Sequence, residues 1–202
     1  FRMFAWYGEF RPDTEGLKAC TRLKDGLEQL SSERVWMELS KLLAAPDPGR
    51  AILWMRQTGV LTKALPESEK WGIDALPGLI ACERDNGWAV DPILRLQAII
   101  PPQEPAVHSL SARLKLPNIV TSRLENWTAS TEPDAGSSKA EFERFLYRGS
   151  TGGIGDRLSL AGLNAVTALL LFSLPEREAH PRLYQRTERL LDLLGQGDVW
   201  PL

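Results

Sequence analysis

The stretch that most constrains the fold is Leu30 to Leu43, Leu-Ser-Ser-Glu-Arg-Val-Trp-Met-Glu-Leu-Ser-Lys-Leu-Leu. Ser31 suits the N-cap of a helix, Glu33 suits its positive end, and Leu30 is spaced to staple onto Val35. Val35, Leu39, Leu42 and Leu43 then make an apolar stripe. Arg34, Glu38 and Lys41 make a separate charged strip, either a solvated face or a set of groups that pair along the helix. A two-faced helix of this kind needs another helix or a sheet to cover its apolar stripe. No stretch of the chain alternates apolar and polar residues over strand length, and no hairpin dipeptide separates β-branched runs. The expected fold class is therefore all-α, an irregular multi-helix array of packed helix pairs.

With 202 residues, 43% of them hydrophobic, the chain is long enough to bury a core in one large or two small domains. Its net charge of −2 means that nucleic-acid contact would rest on local patches. The longest apolar run, Ala165 to Leu174, is interrupted by Thr167 and Ser173 and is too short to span a bilayer, so no membrane association is expected. Cys20 and Cys82 lack metal or disulfide spacing, and His108 and His180 stand alone. These features predict a reducing, cytoplasmic setting, with no metal and no cofactor bound by this chain. The opening Phe1-Arg2-Met3-Phe4-Ala5-Trp6-Tyr7-Gly8 reads as the tail of a helix closed by Gly8, and both ends look cut.

Taken in order, Pro12-Asp13 predicts a turn and N-cap for a helix from Thr14 to Gln29, with Leu17, Cys20, Leu23, Leu27 and Leu30 at helical spacing. Lys18 and Arg22 lie one turn apart on its exposed face. Asp47-Pro48 opens the next helix and Gly59 closes it. Trp71 to Leu79 leads into a helix ending at Gly87, and Pro92 to Ile100 forms a short one. Val107 to Leu116 and Ile119 to Trp127 form a helix pair broken at Pro117, with Arg113, Lys115 and Arg123 around the turn. Ala129 to Ser138 reads as a loop or linker, and Glu141 to Tyr147 as a helix. The glycine-rich Gly149 to Gly155 lacks the Lys-Ser/Thr ending of a phosphate-cradling loop and reads as a connector. Leu158 to Phe172 and Pro181 to Leu194 complete the helices, with Asn164 expected as a satisfied core amide.

Ser32-Glu33-Arg34 with Glu38-Leu39 and Lys41-Leu42-Leu43, followed by Met55-Arg56-Gln57-Thr58-Gly59-Val60-Leu61 and Leu65-Pro66-Glu67, resembles the neck and body of bacterial class II tRNA nucleotidyltransferases, the CCA-adding enzymes, and their poly(A) polymerase relatives. The resemblance is strongest over residues 1–67. It implies neck-like helices and the start of a body in 1–66, body helices in 67–128, the linker at 129–138, and tail-like helices in 139–202. It also implies a catalytic head preceding Phe1, holding Mg²⁺ and CTP or ATP, so that this piece alone would be inactive. Arg2, Glu33, Arg34 and Glu38 match the neck motif that supports nucleotide selection, with half-buried or buried ion pairing as their physical role. The acceptor arm of tRNA is the implied partner, and Lys18, Arg22, Arg113, Lys115 and Arg123 are the candidate contacts to its backbone. The alternative is a non-enzymatic helical adaptor that binds another protein, a reading suited by the seven tryptophans.

Overall fold

A computed structural model describes residues 1–9, 11–85, 87–130, 156 and 160. The chain divides into two compact units, residues 1–121 and 122–202. The regular structure of the described residues is helical throughout, with nine α-helices and no strand. The chain is all-α, as its periodicity predicts.

In the first unit, α1 (Arg2–Tyr7) is followed by α2 (Thr14–Leu23), a 3-10 turn over Lys24–Gln29, and α3 (Ser32–Leu43). Then come α4 (Gly49–Gln57), α5 (Val60–Ala64), α6 (Ala75–Asp85), α7 (Pro92–Gln97) and α8 (Glu104–Leu114). Helix α9 (Asn118–Ala129) contains the division between the units. Local chemistry sets three of the starts among the described helices. The Asp13 side chain accepts from the Gly16 amide, Ser31 from Arg34, and Asp91 from Ile93 and Leu94, each satisfying amides that have no partner inside the helix.

Helix α3 is central to the first unit, packing against α1, α7 and α8. Its Leu39, Leu42 and Leu43 are buried in a core with Ile52, Leu61, Leu65, Leu76, Leu79, Leu96, Ile99 and Leu110. Each such side chain contributes about 1.5–3 kcal/mol relative to exposure. Gly59 joins α4 to α5 at φ +73, a left-handed conformation that glycine adopts without steric cost. Gly8 is required for a different reason. A Cβ there would run into the ring of Phe4, although its φ of −82 is ordinary.

The structure departs from the expected single helix over Thr14 to Gln29. Helix α2 ends at Leu23, and α2 and the 3-10 turn bury no residue. Leu23 is 66% exposed and Leu30 is 44% exposed, so their helical spacing does not mark a core face. The tighter winding places Asp25 and Glu28, three apart, above one another. Both reach Lys63 near the end of α5, at 2.8 and 3.0 Å. Apart from residue 160, which is helical, the predicted helices at 141–147, 158–172 and 181–194, the glycine-rich connector and Asn164 lie outside the described residues. So does the linker beyond Ser130.

Candidate functional site

The charged strip of α3 is the place to build from. Residues 34, 37, 38 and 41 share one side of this helix, and α1 lies along that side. The Arg2 Nε donates to Glu38 Oε2 at 2.6 Å, and the Trp6 indole N–H donates to the Lys41 carbonyl at 2.9 Å. Arg50 then holds α1 from α4, with its guanidinium 5.4 Å from the Phe4 ring centroid and a bond to the Glu9 carbonyl. At the N-terminal end of α3, Glu33 accepts from Lys115 at 3.1 Å. A hydrogen bond from its own amide and the one from Lys115 hold the Glu33 carboxyl below the usual carboxylate range.

Sequence reasoning missed the most deeply buried charge pair of the described residues. Arg95 is 1% exposed, and it meets Glu83 through Nε at 2.9 Å and Nη2 at 2.6 Å. Its Nη1 donates to the carbonyls of Leu43 at 2.7 Å and Ala45 at 2.5 Å, and Nη2 reaches Pro46 at 3.3 Å. These carbonyls lie at and just past the end of α3, where the helix dipole and unpaired acceptors favour a cation. Arg95 therefore fixes where α3 stops and ties it to α6. Its sequence signal was the single charge of Arg95 inside the apolar run Ile93-Leu94-Arg95-Leu96.

Four of the five candidate backbone-contact residues are paired with carboxylates. Lys18 pairs with Glu15 at 2.8 Å. Arg113 donates to Glu67 at 2.8 Å and to the Ala64 carbonyl at 3.1 Å. Lys115 holds Glu33, and Arg123 in the second unit holds the buried Asp156 at 2.6 Å. Arg22 is exposed and has no acidic partner among the described residues. In the neck set, Arg2 and Glu38 make a partly exposed pair, whereas Arg34 is exposed and has no acidic partner among the described residues. Lys41 and Arg56 stand exposed in the same way.

Comparison with known proteins divides the chain. Residues 9–71 match a family described as probable RNA and SrmB-binding site of polymerase A. Residues 154–202 match the family described as recombination protein O C terminal. The first stretch lies in the first unit and the second stretch in the second unit. The chain is similar to a DNA repair protein. It is 59% identical to the DNA repair protein RecO of Roseobacter denitrificans over 76 residues, 38% of this chain and 30% of the relative. RecO of a Ruegeria species is 50% identical over 76 residues, again 38% and 30%. RecO of Paracoccus denitrificans is 47% identical over 74 residues, 37% and 29%. The chain thus spans about 30% of the length of these curated relatives. No solved structure matches.

These relatives correct the reading of the chain as the neck, body and tail of a tRNA nucleotidyltransferase. The tail expected over 139–202 is where the recombination protein O family matches. The nucleotidyltransferase parent, CCA addition, the implied head domain and the tRNA acceptor arm as partner fall with that reading, and the helical adaptor fits the relatives no better. The motif residues that carry the resemblance, Ser32 to Glu67, lie within the stretch 9–71 matched by the polymerase A family, whereas 154–202 match recombination protein O. Ser31 caps a helix, Glu33 and Glu38 make ion pairs and Gly59 makes a left-handed joint, all of which serve helix packing whatever the protein does. Among the described residues no helix is long and apolar enough to cross a membrane.

Proposed function

We propose that the chain acts in DNA repair by binding DNA, as a cytoplasmic protein related in its function to RecO. The observation that carries this reading is the 59% identity to the DNA repair protein RecO over 76 residues, joined by the family match at 154–202. The first unit supports it with exposed cations that have no acidic partner among the described residues, Arg22, Arg34, Lys41 and Arg56. Such groups are open to phosphates, whereas Arg113 and Arg123 are committed to Glu67 and Asp156. With a net charge of −2, binding should be local, moderate and salt-sensitive.

The test is fluorescence anisotropy of the full chain with labelled single-stranded and duplex DNA, and with RNA of equal length, at low and moderate salt. Binding to DNA that weakens with salt supports the reading. Absence of DNA binding, or binding to RNA alone, overturns it.

A further inference from the structure

Residues 14–29, helix α2 and the 3-10 turn that follows it, bury no side chain in the core. The turn packs on α5, whereas the chief packing partner of α2 among the described elements is the turn itself. Leu17, Cys20, Lys24 and Leu27, at helical spacing, are half-buried and mark the side turned away from solvent. Apart from bonds at its own two ends, the polar links of this segment to the rest of the described residues run to one group, the Lys63 ammonium on α5. It donates to Asp25 at 2.8 Å and to Glu28 at 3.0 Å, and both carboxylates are largely exposed. The Lys24 side chain lies over Gly59, where a Cβ would come within 3.0 Å of its Nζ. Both flanks are extended, at Asp13 with ψ 131 and at Leu30 and Ser31 with ψ 150 and 144. Helix α3 takes its cap from Ser31, which lies beyond the segment, so α3 keeps its start when the segment leaves.

We propose that residues 14–29 form a strap latched onto α5 by Lys63, which opens as one piece while α3, α5 and the core stay folded. Surface ion pairs are individually weak and are screened by salt, whereas apolar burial is not. A segment with little buried apolar surface and exposed ionic anchors belongs to the least stable part of a fold. Opening separates Lys63 from Asp25 and Glu28 and uncovers the half-buried Leu17, Cys20 and Leu27. Ionic strength therefore governs access to this face.

The experiment is hydrogen exchange of the full chain read by mass spectrometry, with labelling of Cys20 by N-ethylmaleimide alongside. It compares low salt with about 0.5 M salt, where screening is nearly complete beyond a few ångströms. The chains are the native sequence, Lys63→Met, and Asp25→Asn combined with Glu28→Gln. In the native chain the amides of 14–29 should exchange together, ahead of α3 and α5, and roughly 5-fold faster at the higher salt. Both variants should show the faster exchange already at low salt and respond little to added salt. Labelling of Cys20 should follow the same pattern, while Cys82, buried on α6, stays slow. Exchange of 14–29 that is equal in the native chain and both variants refutes the latch. Exchange of 14–29 in step with α3 in the native chain, or Cys82 reacting together with Cys20 there, refutes the strap, because the opening is then global unfolding.

Discussion

Replacing Arg95 by methionine tests whether the end of α3 is held by a buried charge. The side chains of Arg95 and Glu83 are 1% and 4% exposed, so the pair is out of reach of solvent screening. Methionine fills much of the volume but leaves the Glu83 carboxylate with no cation, and the carbonyls of Leu43 and Ala45 without their donor. Removing one partner of a buried pair costs about 3–5 kcal/mol. Each orphaned carbonyl adds on the order of 1 kcal/mol. Against a typical total of about 5–15 kcal/mol, the loss should be a third or more of the stability. With roughly 4 °C per kcal/mol for a unit of this size, the melting temperature should fall by about 20 °C. Urea and thermal unfolding followed by circular dichroism measure both quantities. The double variant Arg95→Met with Glu83→Leu removes the stranded charge and should recover most of the loss. A single variant destabilised by less than about 1 kcal/mol, or a double variant as unstable as the single, would refute the reasoning.

Gly59→Ala places a Cβ at φ +73 and 3.0 Å from the Lys24 Nζ, and should cost about 1–2 kcal/mol by urea denaturation. Arg34→Ala should change stability by no more than about 0.5 kcal/mol, since the side chain is exposed and makes no ion pair with the described residues; a larger loss in the same assay would reveal a structural role. Arg123→Ala removes a cation that donates to the buried Asp156, and should cost on the order of 2 kcal/mol, read as a lower urea midpoint. The Asp25 carboxyl is held below its usual value by the hydrogen bond and charge of Lys63, and Glu33 by its own amide and Lys115. Both carboxylates have depressed values in the folded state, so their stabilisation is complete above the unfolded-state values and is lost as the pH falls below about 4. Comparing acid titrations of the native chain and Lys63→Met should show the native chain losing more stability over that interval; parallel curves would mean that Lys63 contributes nothing to it.

The residues with local partners were legible from the sequence. The caps at Asp13 and Ser31 bind amides three residues away, so a short window contains both donor and acceptor. The amphipathic stripe of α3 was legible for the same reason, because one helix displays its own period. The candidate site was legible only as a set of residue types. Whether a base is free depends on carboxylates far along the chain, 46 residues away for Arg113 and 82 for Lys115.

From its own pattern the sequence determined an all-helical chain and the places where most helices start. Hydrogen bonds that close within one turn, and a periodicity of 3.6, are properties of neighbouring residues. Tertiary structure alone decided that Leu23 and Leu30 face solvent, that Arg95 and Glu83 are buried together, and that the Trp6 indole meets the Lys41 carbonyl. Burial and charge pairing are set by what arrives from elsewhere in the chain, and helical spacing specifies that a face exists without specifying what covers it.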